Sequence, residues 1–510
     1  VDEYDCKRAS FSRAWNRLRA AVEGSAAHGR KWPLINKPGS LSMLLFQTVA
    51  RRSRSALCAG LALTASHLAQ AEVILHAFNW PYATVQARAA EIKSLGYASV
   101  LVAPPLKSEG TAWWARYQPQ DYRVIDHPLG NTDSFKAMSN ALRAQGVKVY
   151  ADIVLNHMAN EAWKRPDLNY PGQQILNLYA SNPTYWNRQR LFGDLRYNFL
   201  SQWDFGPAHC IRDYTDVWQV QNWRLCGGPG DAGLPDLVPN TWVVSQQQAY
   251  LQALKGLGVT GFRIDAAKHM STSQINAVLT PAIRSGVHVF GEIITGGGAG
   301  ELEYDRFLKP YLDGTDHGAY DFPLFAQIRA AFAYGGSMNR LVNPAAYGQA
   351  LPGSRAITFT ITHDIPNNAG FRYQIMDPTD EQLAYAYVLG RDGGVPLLYS
   401  DHNESGDNRW VNAYRRSDLV QMIRFHNANQ GNDMQVLSYS DCHILFRRGS
   451  RGIVGINKCG STVHTTVGMN HSVLWWNTDY RDVLSGHITR ITSASHTFSL
   501  PPRTARMWLR

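Results

Sequence analysis

The sequence predicts an α/β fold: a closed (β/α)8 TIM barrel with a small domain inserted after strand 3 and a C-terminal antiparallel β-sandwich. Three observations predict it. Eight short apolar runs alternate with helix-sized segments between residues 73 and 399. Such alternation builds a parallel sheet, and eight repeats close it. The connection over 156–243 is far longer than an ordinary loop and reads as a small domain of its own. From about residue 431 the helical spacing ends and short β-rich runs take over.

Taken in order, 73–78 (VILHAF) is the first strand. An amphipathic helix over 84–95 stops at Gly96, which suits a helix C-terminus. Strand 98–103 (ASVLVA), helix 134–145 closed by Gly146, and strand 147–154 (VKVYADIV) follow. Beyond the Trp-, Asn- and Gly-rich insertion come helix 245–257 and a β-branched strand from Val259 to Ile264 that ends on a charge, Asp265. The alternation then resumes with helix 273–284, strand 287–291, helix 301–312, strand 317–322, helix 323–334, strand 356–362, helix 380–389 and strand 395–399. A helix near 416–428 ends the barrel. The runs VLSYS, CHILFRR, GIVGIN, STVHTTV, SVLWW and HTFSLP supply the sandwich.

The net charge of +10 suggests a nucleic-acid partner until it is divided along the chain. Residues 1–71 hold 11 Lys+Arg against 4 Asp+Glu, whereas the remainder holds 39 against 36. The basic excess is therefore mostly in a leader, and nucleic-acid binding loses its main support. That leader resembles an export signal: Arg51, Arg52 and Arg54, a short apolar run over 56–65, and a small-x-small ending at Ala71. Met43 is the expected initiator, and 1–42 an upstream extension. The expected organisation is then a signal peptide over 43–71, barrel over 72–155, inserted domain over 156–243, barrel again over 244–430, and sandwich over 431–510. No later segment approaches the ~20 apolar residues of a membrane span, so the expected mature product is a soluble, secreted monomer. Export also suits the cysteines. Cys210, Cys226, Cys442 and Cys459 form two local pairs, and an oxidising compartment would permit bridges 210–226 and 442–459. Their spacing matches no zinc pattern.

In such a barrel, charged residues at C-terminal strand ends converge on one mouth. Strand three runs into Asp152, Asn156 and His157. Strand four supplies Arg263 and Asp265, which the period of two places on one face. Strand five supplies Glu292, and strand seven His363 and Asp364. An isolated Arg-x-Asp is as readily a structural ion pair; it is the company of the other acids that points to chemistry. A carboxylate kept ionised by a cation can act as a nucleophile. Opposed carboxyls, one of them protonated, suit glycoside hydrolysis. Trp113, Trp114 and Tyr117 offer flat faces for sugar rings, although packing explains the two tryptophans equally well.

These motifs resemble α-amylases of glycoside hydrolase family 13 across about 73–510. In the family's order they are DIVLNH at 152–157, LPDL at 234–237, GFRIDAAKH at 261–269, GEI at 291–293 and THD at 362–364. WWARYQP at 113–119, and WDF at 203–205 with Cys210 and Cys226, are similar to the animal-type branch. The resemblance implies that Asp265 is the nucleophile, Glu292 the general acid/base and Asp364 the third acid. It implies that Arg263, counted among the substrate-binding residues, keeps the nucleophile ionised, that His157, His363 and the stacking Tyr117 serve the cleaved sugar, that Trp113, Trp114 and Gln118 also bind substrate, and that Lys268 and His269 lie beyond the cleavage point. It further implies a structural Ca²⁺ held by Asn156, Asp236, the His269 carbonyl and the Arg224 carbonyl, a set of oxygens that suits calcium. Thr362 stands where chloride-activated relatives carry Asn, which counts against a chloride site.

The implied activity is endo-hydrolysis of α-1,4-glucosidic bonds in starch and maltooligosaccharides with retention of configuration. A maltooligosaccharide-forming exo-amylase or transglycosylase is the alternative within the family. A non-catalytic carbohydrate-binding protein is the alternative outside it, and the intact acids argue against that. No starch-binding module is expected after the sandwich.

Overall fold

A computed structural model describes residues 73–402, 404–469, 474 and 476–510. The expectations for 1–71 lie outside these residues. Eight parallel strands close the barrel: β1 (Ile74–Ala77), β2 (Ser99–Val102), β3 (Lys148–Val154), β4 (Val259–Asp265), β5 (His288–Gly291), β6 (Gly318–Tyr320), β7 (Ala356–Thr358) and β8 (Val395–Ser400). Each pairs with its sequence neighbours, and β8 closes onto β1 with Ile74 opposite Leu397.

Alternation sorts the side chains. Leu75, Val100, Val149, Phe262 and Val289 point outward into the main hydrophobic cluster, under the helices. Ile74, Leu101, Tyr150, Phe290, Tyr320, Ile357 and Leu397 point inward and fill the barrel. Strand β4 contributes Gly261 at this level. A Cβ there would lie 2.1 Å from the Tyr150 ring, so the missing side chain is what admits the tyrosine. Two residues further along β4 the same inward parity delivers Arg263, and two more deliver Asp265.

The eight strands fall where the sequence places them, and most differences are at their ends. Strand β7 stops at Thr358 rather than 362, and the chain stays buried until His363 and Asp364 open a one-turn helix. The helix expected over 84–95 is two, Tyr82–Ala87 and Ala89–Ser94, broken at Arg88. That over 273–284 splits into Thr272–Val278 and Pro281–Arg284, since a residue before proline avoids helical geometry. That over 301–312 is a π-turn, Tyr304–Leu308, leading into Lys309–Gly314. Pro310 has no N–H to give a regular α-helical ladder there.

The long β3–β4 connection carries three short helices, Gln173–Ser181, Pro183–Gln189 and Val217–Asn222, before the helix Thr241–Gly256. Both expected disulfides are present, Cys210–Cys226 in this connection and Cys442–Cys459 in the C-terminal part.

After the barrel's last helix, Ser417–Ala428, come eight antiparallel strands: β9 (Met434–Tyr439), β10 (His443–Arg448), β11 (Gly452–Asn457), β12 (Val463–Gly468), β13 (Thr478–Asp482), β14 (Ile488–Ile491), β15 (Ser495–Leu500) and β16 (Thr504–Leu509). Six form one sheet in the order β9-β10-β11-β16-β13-β14, and β12 pairs with β15. The SVLWW run falls largely outside the described residues. The polar strands β13 and β14, and the terminal β16, were not foreseen. The large sheet is buried on both faces. Ile444, Phe446, Val454 and Met507 join the barrel's cluster, while Leu445, Ile453, Tyr480 and Trp508 pack with Phe498 and Leu500 of β15. Polar clamps fix the first face: Arg448 donates to the Gly390 (2.7 Å) and Asn429 (2.9 Å) carbonyls, and Lys458 to that of Ala331 (2.7 Å). Among the described residues no helix is long and apolar enough to cross a membrane.

Candidate active site

Strand register assembles the acids. Asp152 of β3 lies beside Arg263 of β4, Ile264 lies beside Gly291 of β5, and Glu292 follows immediately. The Arg263 guanidinium has no solvent exposure and serves three carboxylates. Its Nη1 donates to both Asp152 oxygens (2.7 and 2.8 Å) and to Asp265 Oδ1 (2.7 Å), and its Nη2 pairs with Glu292 Oε1. Tyr117 donates its hydroxyl to Asp152 Oδ2 at 3.0 Å. Ala266 takes a left-handed conformation (φ 50°), which aims its N–H at Glu292 Oε2, 3.2 Å away. The Lys268 N–H donates to the Glu292 carbonyl at 3.2 Å.

One cation cannot neutralise this many acids. Burial pushes Asp152 up to about 6 against the pull of Arg263. Burial also holds Asp265 well above the usual carboxylate range. Arg263 opposes this, and the charges of Glu292 and Asp152 reinforce it. The pairing expected from the sequence is present, yet Arg263 alone does not set the balance. Asp364 is raised by burial and by the charge of Glu292, against the pull of Arg263. Crowding buried carboxyls in this way favours keeping a proton within the cluster, as acid catalysis needs.

The histidines are neutral. Burial lowers His157 to about 4 and His269 to about 3, and it lowers His363 well below its usual value, with Arg263 adding to the effect. His363 lies between Phe78 (4.8 Å) and Tyr117 (5.4 Å, planes within 7°). His157 Nε2 meets the Tyr117 carbonyl at 3.0 Å. Trp113 packs edge-on against His363, whereas Trp114 is 37% exposed; the first is partly a packing residue and the second presents its face. Gln118 Oε1 accepts the Asn160 N–H (2.8 Å).

A single cleft is lined by Trp113, Trp114, Tyr117, Gln118, His157, Asp265, Lys268, His269, Glu292, His363 and Asp364. Arg263 corrects its expected placement among the sugar-contacting residues: it lies beneath the acids and does not line the cleft. The Cys210–Cys226 bridge borders the same cleft, with Asp231 tying the wall together through Gly227 N–H (2.6 Å) and Asn160 Nδ2 (2.6 Å).

The residues expected to hold calcium gather beside the cleft. Asp236 is 5% exposed and forms no ion pair among the described residues. Burial raises its carboxyl well above the usual range, against a hydrogen bond from Asn156 and the charge of Arg224. The backbone knits these segments, His157 bridging Asp236 and Leu237 N–H donating to the Asn156 carbonyl (2.9 Å). A buried carboxylate without an ion-pair partner among the described residues fits a hard cation. Among the described residues no group of three or more His, Cys, Asp or Glu is arranged to hold a metal ion, so such a site would need amide and carbonyl oxygens beside the Asp236 carboxylate. The Arg224 carbonyl already accepts the Ile211 N–H (3.1 Å), and the His269 ring turns to the Val220 carbonyl (3.1 Å).

The family profile described as alpha amylase, catalytic domain, matches residues 85–282. An α-amylase of Aeromonas hydrophila is 62% identical over 420 residues, covering 82% of this chain and 90% of the relative. This chain belongs to the α-amylase family. An α-amylase of Thermomonospora curvata is 28% identical over 76% of this chain and 64% of its own length. Among solved structures, wild-type α-amylase I of Eisenia fetida superposes with a TM-score of 0.67 at 23% identity, covering 86% of this chain and 97% of that one. A variant of the Eisenia enzyme is known in complex with maltohexaose. The α-amylase of Geobacillus thermoleovorans, complexed with acarbose, superposes with a TM-score of 0.61 at 19% identity, covering 86% of this chain and 98% of that one.

Two residues of this α-amylase site, His76 and Phe78, were not singled out from the sequence, and Asp152 was named there without a role. Asp152 opens the DIVLNH motif, and its parity with Tyr150 signals that it points inward. Phe78 and His76 flank His363, at 4.8 and 5.3 Å, from the end of β1. The same parity marks His76, but nothing in one strand's pattern says what faces it across the barrel.

Proposed function

We propose that this glycoside hydrolase is an endo-acting α-amylase that cleaves α-1,4-glucosidic bonds in starch with retention of configuration. The observation that carries the reading is the sharing of one buried guanidinium by Asp152, Asp265 and Glu292, with Asp364 lining the same cleft. Asp265, hydrogen-bonded to Arg263, attacks the anomeric carbon. Glu292 delivers its proton to the leaving oxygen and later takes one from water. Asp364 binds sugar hydroxyls as positive charge grows on the ring. His157 and His363, being neutral, both donate to and accept from hydroxyls at the cleavage point. Tyr117 and Trp114 stack on sugar faces, Trp113 and Gln118 shape that end, and Lys268 and His269 serve sugars beyond the cleaved bond. The maltohexaose complex of the Eisenia enzyme supports a linear glucan as ligand.

The test is digestion of starch by the protein, following viscosity, product sizes and anomeric form. Rapid viscosity loss with mixed oligosaccharides, released first as α-anomers, is expected. A single early product would replace the endo reading with an exo one, and β-anomers would overturn retention.

The two disulfides support export into an oxidising medium. For the Asp236 site we propose calcium, with Asn156 and Asp236 as side-chain ligands and the His269 and Arg224 carbonyls completing the set. The ion would neutralise the buried carboxylate and tie the long connection to the barrel. Chelation is expected to lower the melting temperature by about 4 °C, the scale of a tightly held ion in a protein of this size. Asp236→Asn should lower the melting temperature in calcium and remove the effect of the chelator. An equal melting temperature with calcium and with chelator would overturn the site.

A further inference from the structure

The loop after the proposed acid/base, 292–303, contains Gly296-Gly297-Gly298 and gives the cleft one of its walls through Ile294. Three consecutive glycines give little conformational restraint, yet both ends of this loop are held by one short turn. At the near end, Ala266 N–H reaches the Glu292 carboxylate and Lys268 N–H the Glu292 carbonyl. At the far end, Lys268 Nζ pairs with Glu303 Oε1 at 2.8 Å. Both side chains are 7% exposed, and the ammonium lies 4.9 Å from the centre of the Phe307 ring. Glu303 is itself oriented from behind, since Glu301 Oε1 accepts its N–H (3.1 Å). Lys268 lines the cleft; Glu303 does not.

We propose that Glu303 is a positioning residue for acceptor-side sugars: by holding the Lys268 ammonium and closing the glycine loop, it sets how strongly glucose units beyond the cleaved bond are bound. An ammonium has three N–H donors. One is taken by Glu303, which leaves donors for hydroxyls in the cleft. With the anchor gone, the lysine must find another partner for a buried charge, and the loop bearing Ile294 is left on its far side with its hydrogen bonds to 348–349, such as Ala299 N–H to the Gly348 carbonyl (2.8 Å). Choice among bonds of an oligosaccharide, rather than the chemistry at Asp265 and Glu292, is what such a change alters. This inference rests on the α-amylase reading for the place of Lys268 beyond the cleavage point.

The experiment compares Glu303→Gln with the unsubstituted protein on two substrates. One is end-labelled maltoheptaose, whose cleavage positions report acceptor-side binding. The other is an aryl α-maltooligosaccharide cleaved at the aryl group, which places no sugar beyond the bond. Glu303→Gln is expected to lower kcat/KM about tenfold for maltoheptaose cleavages with two or more acceptor-side units, the scale of losing a hydrogen bond to a charged group. Aryl release should fall far less, and cleavage should move toward the reducing end. Lys268→Met should give the same shift. The double variant Lys268→Met/Glu303→Leu leaves no unpaired buried charge, and should show no further shift beyond either single change. An unchanged cleavage pattern, or equal losses on both substrates, would overturn the proposal and leave Glu303 a purely structural residue. Should the unsubstituted protein hydrolyse neither substrate, the α-amylase reading itself would fall, a result distinct from either of these.

Discussion

Asp265→Asn is expected to lower kcat on starch by on the order of 10⁴-fold or more, and Glu292→Gln by a similar factor, with both variants folding normally. Each change keeps the side chain's shape and removes a charge from a crowded acidic cluster, so neither leaves a new unpaired charge. The two roles separate on a substrate with an activated aryl leaving group. Such a group departs with little help from an acid, so Glu292→Gln should form the covalent intermediate at much of the normal rate, seen as a burst of aryl release ahead of slow hydrolysis. Asp265→Asn should not, because the attacking oxygen is still missing. Steady-state and burst kinetics on both substrates, with circular dichroism as the check on folding, decide the matter. Activity within tenfold of the unsubstituted protein in either variant would sink the assignment.

Arg263→Met is expected to cost more in stability than any other single change at this site. It leaves Asp152, Asp265 and Glu292 buried without their shared cation, and breaking a buried pair typically costs about 3–5 kcal/mol. The loss should depend on pH in a definite direction. Asp152 has an ordinary value of 3.8 and a folded value of about 6. A carboxyl raised in the folded state binds more protons folded than unfolded between those limits. Its contribution is therefore favourable at low pH and is lost as pH rises through that window. Removing Arg263 moves the upper limit higher still for Asp152 and Asp265. The deficit in melting temperature should accordingly be small near pH 4 and grow toward pH 8. A deficit that is the same at both ends would show that the guanidinium matters by packing and not by charge.

Much of this was legible in the chain because strand periodicity carries so far. The parity of β4 alone put Arg263 and Asp265 on one face, and the structure shows both inside the barrel at the expected end. Glu292 was placed by the end of β5, and the cleft gathers every expected sugar-contacting residue except Arg263. What could not be read was pairing between segments. That Asp152 would bind Arg263 with both oxygens depends on the register of β3 against β4, which no single strand encodes. The partner of Lys268 lies 35 residues away, past a glycine loop, with no periodic relation to it. The splitting of the helix expected over 273–284 was visible in Pro281, whereas the polar strands β13 and β14 were hidden because partly exposed strands, the last two in the sheet order, need little apolar patterning.

The shared guanidinium also bears on how this site can change over evolutionary time. Because Asp152, Asp265 and Glu292 divide one positive charge, a substitution at any of them alters the proton affinity of the other two. Effects measured one position at a time will not add, and a double replacement will be tolerated differently from the product of its parts. Drift at such a site is constrained to compensated steps. A combinatorial library over these three positions and Arg263 should show strong epistasis, while Trp114, at the open side of the cleft, should vary almost independently.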